Sequence, residues 1–107
     1  MNINTQAILR IQPCLTGTDS PVAQAFADAV RTIRHRRPAF KTTTGFTDLH
    51  YFVNKGLPGI GYGPRGESGH AINERVFIPD LVRTSAIYAT FMTRTELNQY
   101  ARTETAV

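Results

Sequence analysis

The sequence predicts a single α/β domain in which two parallel strands are joined by a crossover and covered by helices. Its 107 residues are enough for one small domain. Hydrophobic residues make up 41% of the chain, which suffices for a modest core. Between the breaks rich in glycine and proline, the pattern indicates a helix, a strand, a short helix, a strand, a long loop and a helix. This alternation is typical of a parallel sheet covered by helices.

The first predicted helix has the clearest signals. Ser20 is placed to cap its N-terminus, and Pro21 takes the first helical position, where its missing N–H carries no penalty. Apolar residues then recur at a spacing of three and four, which predicts an amphipathic helix. The helix should end near His35 to Arg37, before Pro38. The apolar positions are Val22, Ala25, Phe26, Ala29, Val30 and Ile33.

The remaining elements are predicted from turn residues and short apolar runs. Residues 7–12, 39–43 and 57–62 read as strands. Thr47 is placed to cap a short helix that Gly56 closes. Pro79 and Asp80 open a last helix that should run to about Tyr100. Only one of residues 81–92 is charged, so this helix needs apolar neighbours on several sides. We therefore expect either a segment of a larger protein or self-association into a homo-oligomer.

Composition excludes several classes of protein. The chain has no apolar run long enough for a membrane span, and Cys14 alone cannot form an intramolecular disulfide or a cysteine-based zinc finger. The net charge of +4 is moderate, and its densest basic cluster, residues 31–37, lies where a helix end favours cations. No nucleic-acid motif is present. With no secretory signal in the sequence, we expect a cytoplasmic protein without nucleic-acid or membrane partners.

The chemistry of an α/β sheet is expected in the loops at the carboxyl ends of its strands, here residues 43–47 and 63–73. His35 and His50 lie on helices, where an exposed or hydrogen-bonded histidine is ordinary. His70 lies in a glycine-rich loop and is a candidate metal ligand. Residues 61–66 also match G-x-G-x-x-G, a dinucleotide-binding pattern, but no helix starts there to hold a phosphate.

The stretch GFTDLHYFVNKGLPGIGYGPRGESGHAINERVFIPDL resembles the C-terminal part of the catalytic domain in a family of two-zinc amidohydrolases. That family includes acetylornithine deacetylase, succinyl-diaminopimelate desuccinylase and glutamate-releasing carboxypeptidases. Its pattern is roughly G-G-T-D-x-R-x-F, an apolar strand with G-[IL]-P, Y-G-P-G and A-H-x-x-N-E-x-V before a helix. The preceding TGTDSPVAQAFADAV is similar to the family's return from its dimerisation domain. The resemblance covers about residues 8 to 95.

The resemblance implies a fragment of a three-layer zinc-peptidase domain, with parallel strands covered by helices. Residues 1–19 would end the return strand and connection from the dimerisation domain, and residues 20–107 would form the C-terminal segment of the catalytic domain. His70 takes the place of the last zinc-ligating histidine. Gly45 and Thr47 take places beside the substrate, and Asp48 would orient their loop or cap the short helix. Phe46, His50 and Gly69 depart from the usual residues, which bears on acyl-group and amino-acid preference.

The resemblance also implies what the chain does not supply. Two zinc ions, with cobalt or manganese as alternatives, would serve hydrolysis of an amide bond in an N-acyl amino acid or small peptide. The other ligands and the paired glutamates that include the general base are absent from this sequence. We therefore expect the isolated chain to be inactive, to bind metal weakly or not at all, and to need a further N-terminal catalytic segment. The alternative is a non-catalytic binding or self-assembly module that retains the fold.

Overall fold

The first helix, α1, forms as the sequence predicts. The computed structural model describes residues 2–7, 9 and 11–94, and α1 spans Pro21–Arg34. The hydroxyl oxygen of Ser20 accepts a hydrogen bond from the Ala23 backbone N–H at 3.3 Å, which satisfies one of the free donors of the first turn. At the other end His35 adopts a left-handed conformation, and its N–H donates to the Arg31 carbonyl at 2.8 Å.

The short helix α2 spans Leu49–Val53 and also forms where it was predicted. The Thr47 hydroxyl oxygen accepts a hydrogen bond from the Leu49 N–H at 3.3 Å, so Thr47 caps the first turn. Gly56 follows with φ at +88°, a conformation that glycine adopts without the steric cost of a Cβ atom. Its N–H donates to the Val53 carbonyl at 3.0 Å and closes the helix.

The strands differ from the prediction. Those observed are β1, Gly66–Glu67, and β2, Arg75–Val76, which pair antiparallel. Residues 39–43 and 57–62 belong to no strand, and neither do the described residues of 7–12, of which residues 8 and 10 lie outside the description. The predicted parallel pair is therefore not formed within the described part of the chain. A strand persists only when a neighbour satisfies its backbone groups, and three or more strands are normally needed for independent stability.

The last helix, α3, spans Ile78–Met92, with Pro79 in its first turn as predicted. It ends before the predicted limit near Tyr100, since residues 93 and 94 are not helical and residues 95–107 lie outside the description. Three of its apolar side chains, Ile78, Val82 and Met92, are 64–70% exposed. Within the described residues, no helix combines the length and the apolar character needed to cross a bilayer.

The core lies between α1 and α3. Phe26, Ala29, Val30 and Ile87 are buried together, and Ile60 and Tyr62 from the segment after α2 pack against them. Phe26 is the centre of an aromatic cluster, with ring centroids 5.1 Å from Tyr62, 5.6 Å from Tyr88 and 5.2 Å from Phe91. The Cα radius of gyration is 17.8 Å, compared with about 13 Å for a compact domain of 100 residues. The described residues thus bury one small core and leave much apolar surface open.

A buried carboxylate joins the two long helices. Asp80, at the start of α3, is only 5% exposed and forms an ion pair with Arg34 at the end of α1. Its second carboxylate oxygen accepts a hydrogen bond from the Arg65 backbone N–H at 2.5 Å. Arg83, one turn further along α3, lies 3.7 Å from Asp80, and the Arg34 Nε atom donates to the Tyr62 hydroxyl at 3.0 Å. The backbone N–H of Arg65 and the guanidinium of Arg34 hold the pKa of Asp80 below its usual value.

We predict that Phe26→Ala lowers the free energy of unfolding by about 3–5 kcal/mol, because it removes the ring that α1 contributes to the aromatic cluster. Phe52→Ala is the matched control, since that ring is 57% exposed, and its expected effect is about 0.5 kcal/mol or less. Urea unfolding of the two variants gives the comparison. Equal losses would show that the cluster around Phe26 is not the core.

We predict that stability falls as the pH is lowered through the acid range because of Asp80. Its pKa is lower in the folded state, so its contribution is complete above the ordinary aspartate pKa of about 3.9. The contribution is lost as the pH falls through the folded-state pKa. Urea midpoints measured from pH 7 to pH 2.5 should decline less steeply in Asp80→Asn than in the parent. Parallel curves for the two proteins would contradict the prediction.

Candidate functional site

The candidate site is built on a hairpin-like loop, residues 65–77, which we call the His70 loop. The Phe77 N–H donates to the Arg65 carbonyl at 3.1 Å and closes its base. Above this bond, β1 and β2 pair Gly66 with Val76 and Glu67 with Arg75. The Arg75 guanidinium also contacts the Glu67 carboxylate at 2.8 Å on the exposed surface. The backbone thus forms a narrow stem that carries the tip of the loop away from the helices.

The tip of the loop consists of turns in which several residues have unusual backbone angles. The Ala71 N–H donates to the Ser68 carbonyl at 3.0 Å, and the Glu74 N–H donates to the Ala71 carbonyl at 3.2 Å. Ser68, His70 and Asn73 have φ between 57° and 68°, the left-handed region that non-glycine residues rarely adopt. Each such residue costs on the order of 1 kcal/mol or more, and such residues cluster at functional sites.

His70 lies at this tip with its side chain exposed. Its backbone N–H donates to a Glu74 carboxylate oxygen at 3.4 Å. Within the part of the chain that the structure describes, neither ring nitrogen of His70 makes a hydrogen bond. The imidazole is therefore not packed inward against aliphatic side chains. Its position on an exposed loop leaves a ring nitrogen available to a cation.

Whether a zinc ion fits at His70 depends on how many metal-binding side chains lie close to its imidazole. Zinc sites in proteins use three or four nitrogen, oxygen or sulfur donors. Among residues 2–7, 9 and 11–94, no three His, Cys, Asp or Glu side chains lie close enough to hold a metal ion. His70 thus meets the requirement for one imidazole donor, and the described residues do not complete a donor set around it. The sequence-based assignment of His70 as a ligand stays a prediction.

The second candidate loop, residues 43–48, precedes α2 and is called the Gly45 loop. A Cβ atom on Gly45 would meet nothing within 4 Å, so packing in the described structure does not require glycine there. The Thr47 hydroxyl accepts from Leu49, which leaves its O–H free to donate to another group. Asp48 occupies the N-cap position of α2, but its side chain makes no capping hydrogen bond. The substrate-binding roles of Gly45 and Thr47 and the loop-orienting role of Asp48 stay predictions.

His50 in α2 contacts two residues of the Gly45 loop, Phe46 and Thr47. It is 8% exposed, and its Nδ1 atom lies 2.7 Å from the Thr47 carbonyl oxygen. Its ring packs against Phe46 and Tyr51, with centroid distances of 5.0 and 3.9 Å. The expectation that His50 is a hydrogen-bonded helix residue is therefore confirmed. Phe46 in the Gly45 loop and His50 in α2, which both depart from the family pattern, contact each other.

The two candidate loops have no polar link to each other in the described part of the chain. Within the described residues, no hydrogen bond or ion pair joins the Gly45 loop to the His70 loop. Sequence reasoning also missed Asp80, which it treated only as a residue that opens the last helix. A carboxylate in the first turn of a helix is ordinary, so nothing in the sequence pattern indicates that Asp80 reaches Arg34 and Arg65.

The sequence of this chain is similar to a family of peptidases and to two named enzymes. Its sequence matches Peptidase family M20/M25/M40 over residues 2–94. It is 40% identical to succinyl-diaminopimelate desuccinylase of Methylorubrum populi over 68 residues. This aligned region covers 64% of this chain and 17% of that enzyme. It is also 42% identical to the succinyl-diaminopimelate desuccinylase of Methylorubrum extorquens strain PA1 over 62 residues. That aligned region covers 58% of this chain and 16% of the enzyme.

These matches cover only a small part of the relatives. The chain spans about a sixth of the length of the curated enzymes that it matches. No solved structure gives a significant match to it. The family assignment therefore rests on sequence similarity over residues 2–94 of this chain.

Proposed function

Because this chain belongs to Peptidase family M20/M25/M40, we propose that it carries part of the active site of a metal-dependent amide-bond hydrolase. The observation that supports the proposal most directly is the His70 loop. There the family match coincides with an exposed imidazole on a strained, hydrogen-bonded tip. The α/β assignment of the domain follows from the family. The finer roles of individual residues are the substance of the proposal.

We propose that the three-layer arrangement is completed by strands outside the described residues. Residues 39–43 and 57–62 form no ladder hydrogen bonds. Apart from the N–H groups of Leu57 and Gly59 and the carbonyl of Tyr62, which have other partners, their backbone groups remain available to neighbouring strands. Ile60 and Tyr62 already pack on α1 and α3, which is how a helical layer covers one face of a sheet. In that arrangement the Gly45 loop and the His70 loop follow successive strands. Both would then lie at the carboxyl edge of the sheet.

In this proposal one ring nitrogen of His70 would coordinate a zinc ion, and the remaining donors would come from residues outside the described part of the chain. Zinc supplies Lewis acidity toward the scissile carbonyl and lowers the pKa of a bound water. The His70 loop contributes orientation, because its hydrogen-bonded turns fix the direction in which the imidazole leaves the backbone. The general base is one of the groups that this chain does not supply.

We propose that the Gly45 loop binds a carboxylate of the substrate. The free O–H of Thr47 is a suitable donor, and the open space at Gly45 lets a ligand approach the backbone closely. The substrate class that fits is an N-acyl amino acid or a small peptide, both of which carry a free carboxylate. Two similar proteins are named desuccinylases, and this favours an N-succinyl amino acid as the first substrate to assay.

We predict that His70→Asn in the intact protein lowers zinc affinity and amide hydrolysis by at least about 100-fold, because it removes an imidazole ligand. Asparagine is chosen because it tolerates the left-handed backbone at this position. His35→Asn is the matched control, since His35 is exposed and has the same φ of 61°. Metal content and turnover are measured for both. Unchanged values in His70→Asn would refute the ligand role and favour the non-catalytic module.

We predict that Thr47→Val raises KM for an N-succinyl amino acid about tenfold or more, with kcat changed by about threefold or less. A hydrogen bond to a charged group contributes about 1.5–3 kcal/mol, and valine removes the hydroxyl without changing the size of the side chain. Thr47→Ser keeps the hydroxyl and should retain the parent KM. Steady-state kinetics separate the two variants. A loss of kcat alone, or equal effects of valine and serine, would count against carboxylate binding by Thr47.

A further inference from the structure

The His70 loop has few connections to the rest of the molecule. Residues 66–76 are all exposed. Within the described residues, their hydrogen bonds and ion pairs all stay inside the loop. The position of the tip relative to the helices therefore depends on the bonds that Arg65 and Phe77, the two ends of the stem, make with the helices.

The Phe77 end is held by the start of α3. Its carbonyl accepts hydrogen bonds from the N–H groups of Asp80 at 3.0 Å and Leu81 at 3.1 Å. The same residue donates its own N–H to the Arg65 carbonyl. Phe77 is thus both the last residue of the stem and the N-cap of α3. These bonds are local, and they leave the stem free to pivot about Phe77 unless Arg65 is held as well.

The Arg65 end is held by Asp80. One carboxylate oxygen accepts the Arg65 backbone N–H, while the other takes the guanidinium of Arg34 on α1. One side chain therefore joins the first residue of the stem, the first turn of α3 and the last turn of α1. Its 5% exposure protects these bonds from competition with water.

We infer that Asp80 is a positioning residue, which fixes the His70 loop against the α1–α3 pair through its bond to the Arg65 N–H and so directs His70 toward the metal. The inference rests on the proposed metal-binding function of His70. It separates two roles of one carboxylate. The bond to Arg34 holds the helices together, and the bond to Arg65 holds the loop. Removing the first role leaves the second intact.

The chain offers variants that separate these roles. Asp80→Asn removes the charge and one of the two acceptor oxygens, so it weakens both the ion pair and the bond to Arg65. Arg34→Gln removes the ion pair but leaves the Asp80 carboxylate available to the Arg65 N–H. Arg65→Pro deletes the N–H and leaves Asp80, Arg34 and the Arg65 carbonyl in place. All three are compared with the parent in the intact protein, after thermal unfolding has confirmed that each variant folds.

Two measurements are made on each protein: hydrogen exchange of the Phe77 amide, which closes the stem, and affinity for Zn²⁺ added alone. Asp80→Asn and Arg65→Pro should speed the exchange of the Phe77 amide at least about tenfold. They should also weaken zinc binding about 10- to 100-fold, the usual effect of losing a group that orients a ligand. Arg34→Gln should lower the unfolding temperature while changing both readouts less than about threefold. Both readouts are measured at a temperature well below the unfolding temperature of each variant. If Asp80→Asn does not fold, the Arg65→Pro variant decides whether the bond to the Arg65 N–H holds the loop.

The outcomes distinguish this inference from the proposed function. If Arg34→Gln matches Asp80→Asn in both readouts, Asp80 acts only through helix packing and the inference is overturned. It is also overturned if His70→Asn abolishes zinc binding while Asp80→Asn and Arg65→Pro leave zinc affinity unchanged. If His70→Asn leaves zinc binding intact, the proposed function fails. The direction of His70 toward a metal then fails with it, and exchange of the Phe77 amide alone decides whether Asp80 holds the loop.

Discussion

The packing of α1 against α3 and the base of the His70 loop both depend on the bonds made by the Asp80 carboxylate. A charge that is taken out of water is costly unless its partners replace the lost hydration. Here both oxygens are satisfied, one by Arg34 and one by the Arg65 N–H. Arg34 is 46 residues away from Asp80 in the chain and Arg65 is 15 residues away. The carboxylate therefore links two distant parts of the chain to the start of α3. The helix pair and the base of the loop therefore share a single buried group.

The apolar core beside this carboxylate is small for a chain of this length. Phe26 and its aromatic neighbours fill the space between α1 and α3, yet the opposite side of α3 presents exposed Ile78, Val82 and Met92. A helix that is apolar on more than one side is characteristic of the interior of a larger layered domain. The family assignment agrees with this, because the matched enzymes are about six times as long as the region they share with this chain.

Local interactions explain which elements could be predicted from the sequence. The Ser20 cap, Pro21 and the apolar periodicity act within a few residues, and α1 formed as expected. Thr47 and Gly56 likewise set the limits of α2. The strands predicted at residues 39–43 and 57–62 would depend on pairing with distant backbone, which periodicity cannot specify. The antiparallel pairing of β1 and β2 has two residues on each side, too few to leave a pattern in the sequence. Asp80 was missed for a related reason, since its partners are long-range.

The His70 loop shows how short-range and long-range interactions divide the work of presenting one side chain. Turns around Ser68, Ala71 and Glu74 shape the tip, and they involve only residues within four positions of one another. The same turns hold three non-glycine residues in the left-handed region, a strain that persists only where surrounding bonds enforce it. The shape of the tip is therefore a property of the local sequence. Its place in the molecule is not, because a narrow exposed stem can pivot as a unit. The Arg65 N–H supplies the missing constraint by donating a hydrogen bond to the buried carboxylate of Asp80. This bond lies at the base of the loop and does not involve the exposed imidazole.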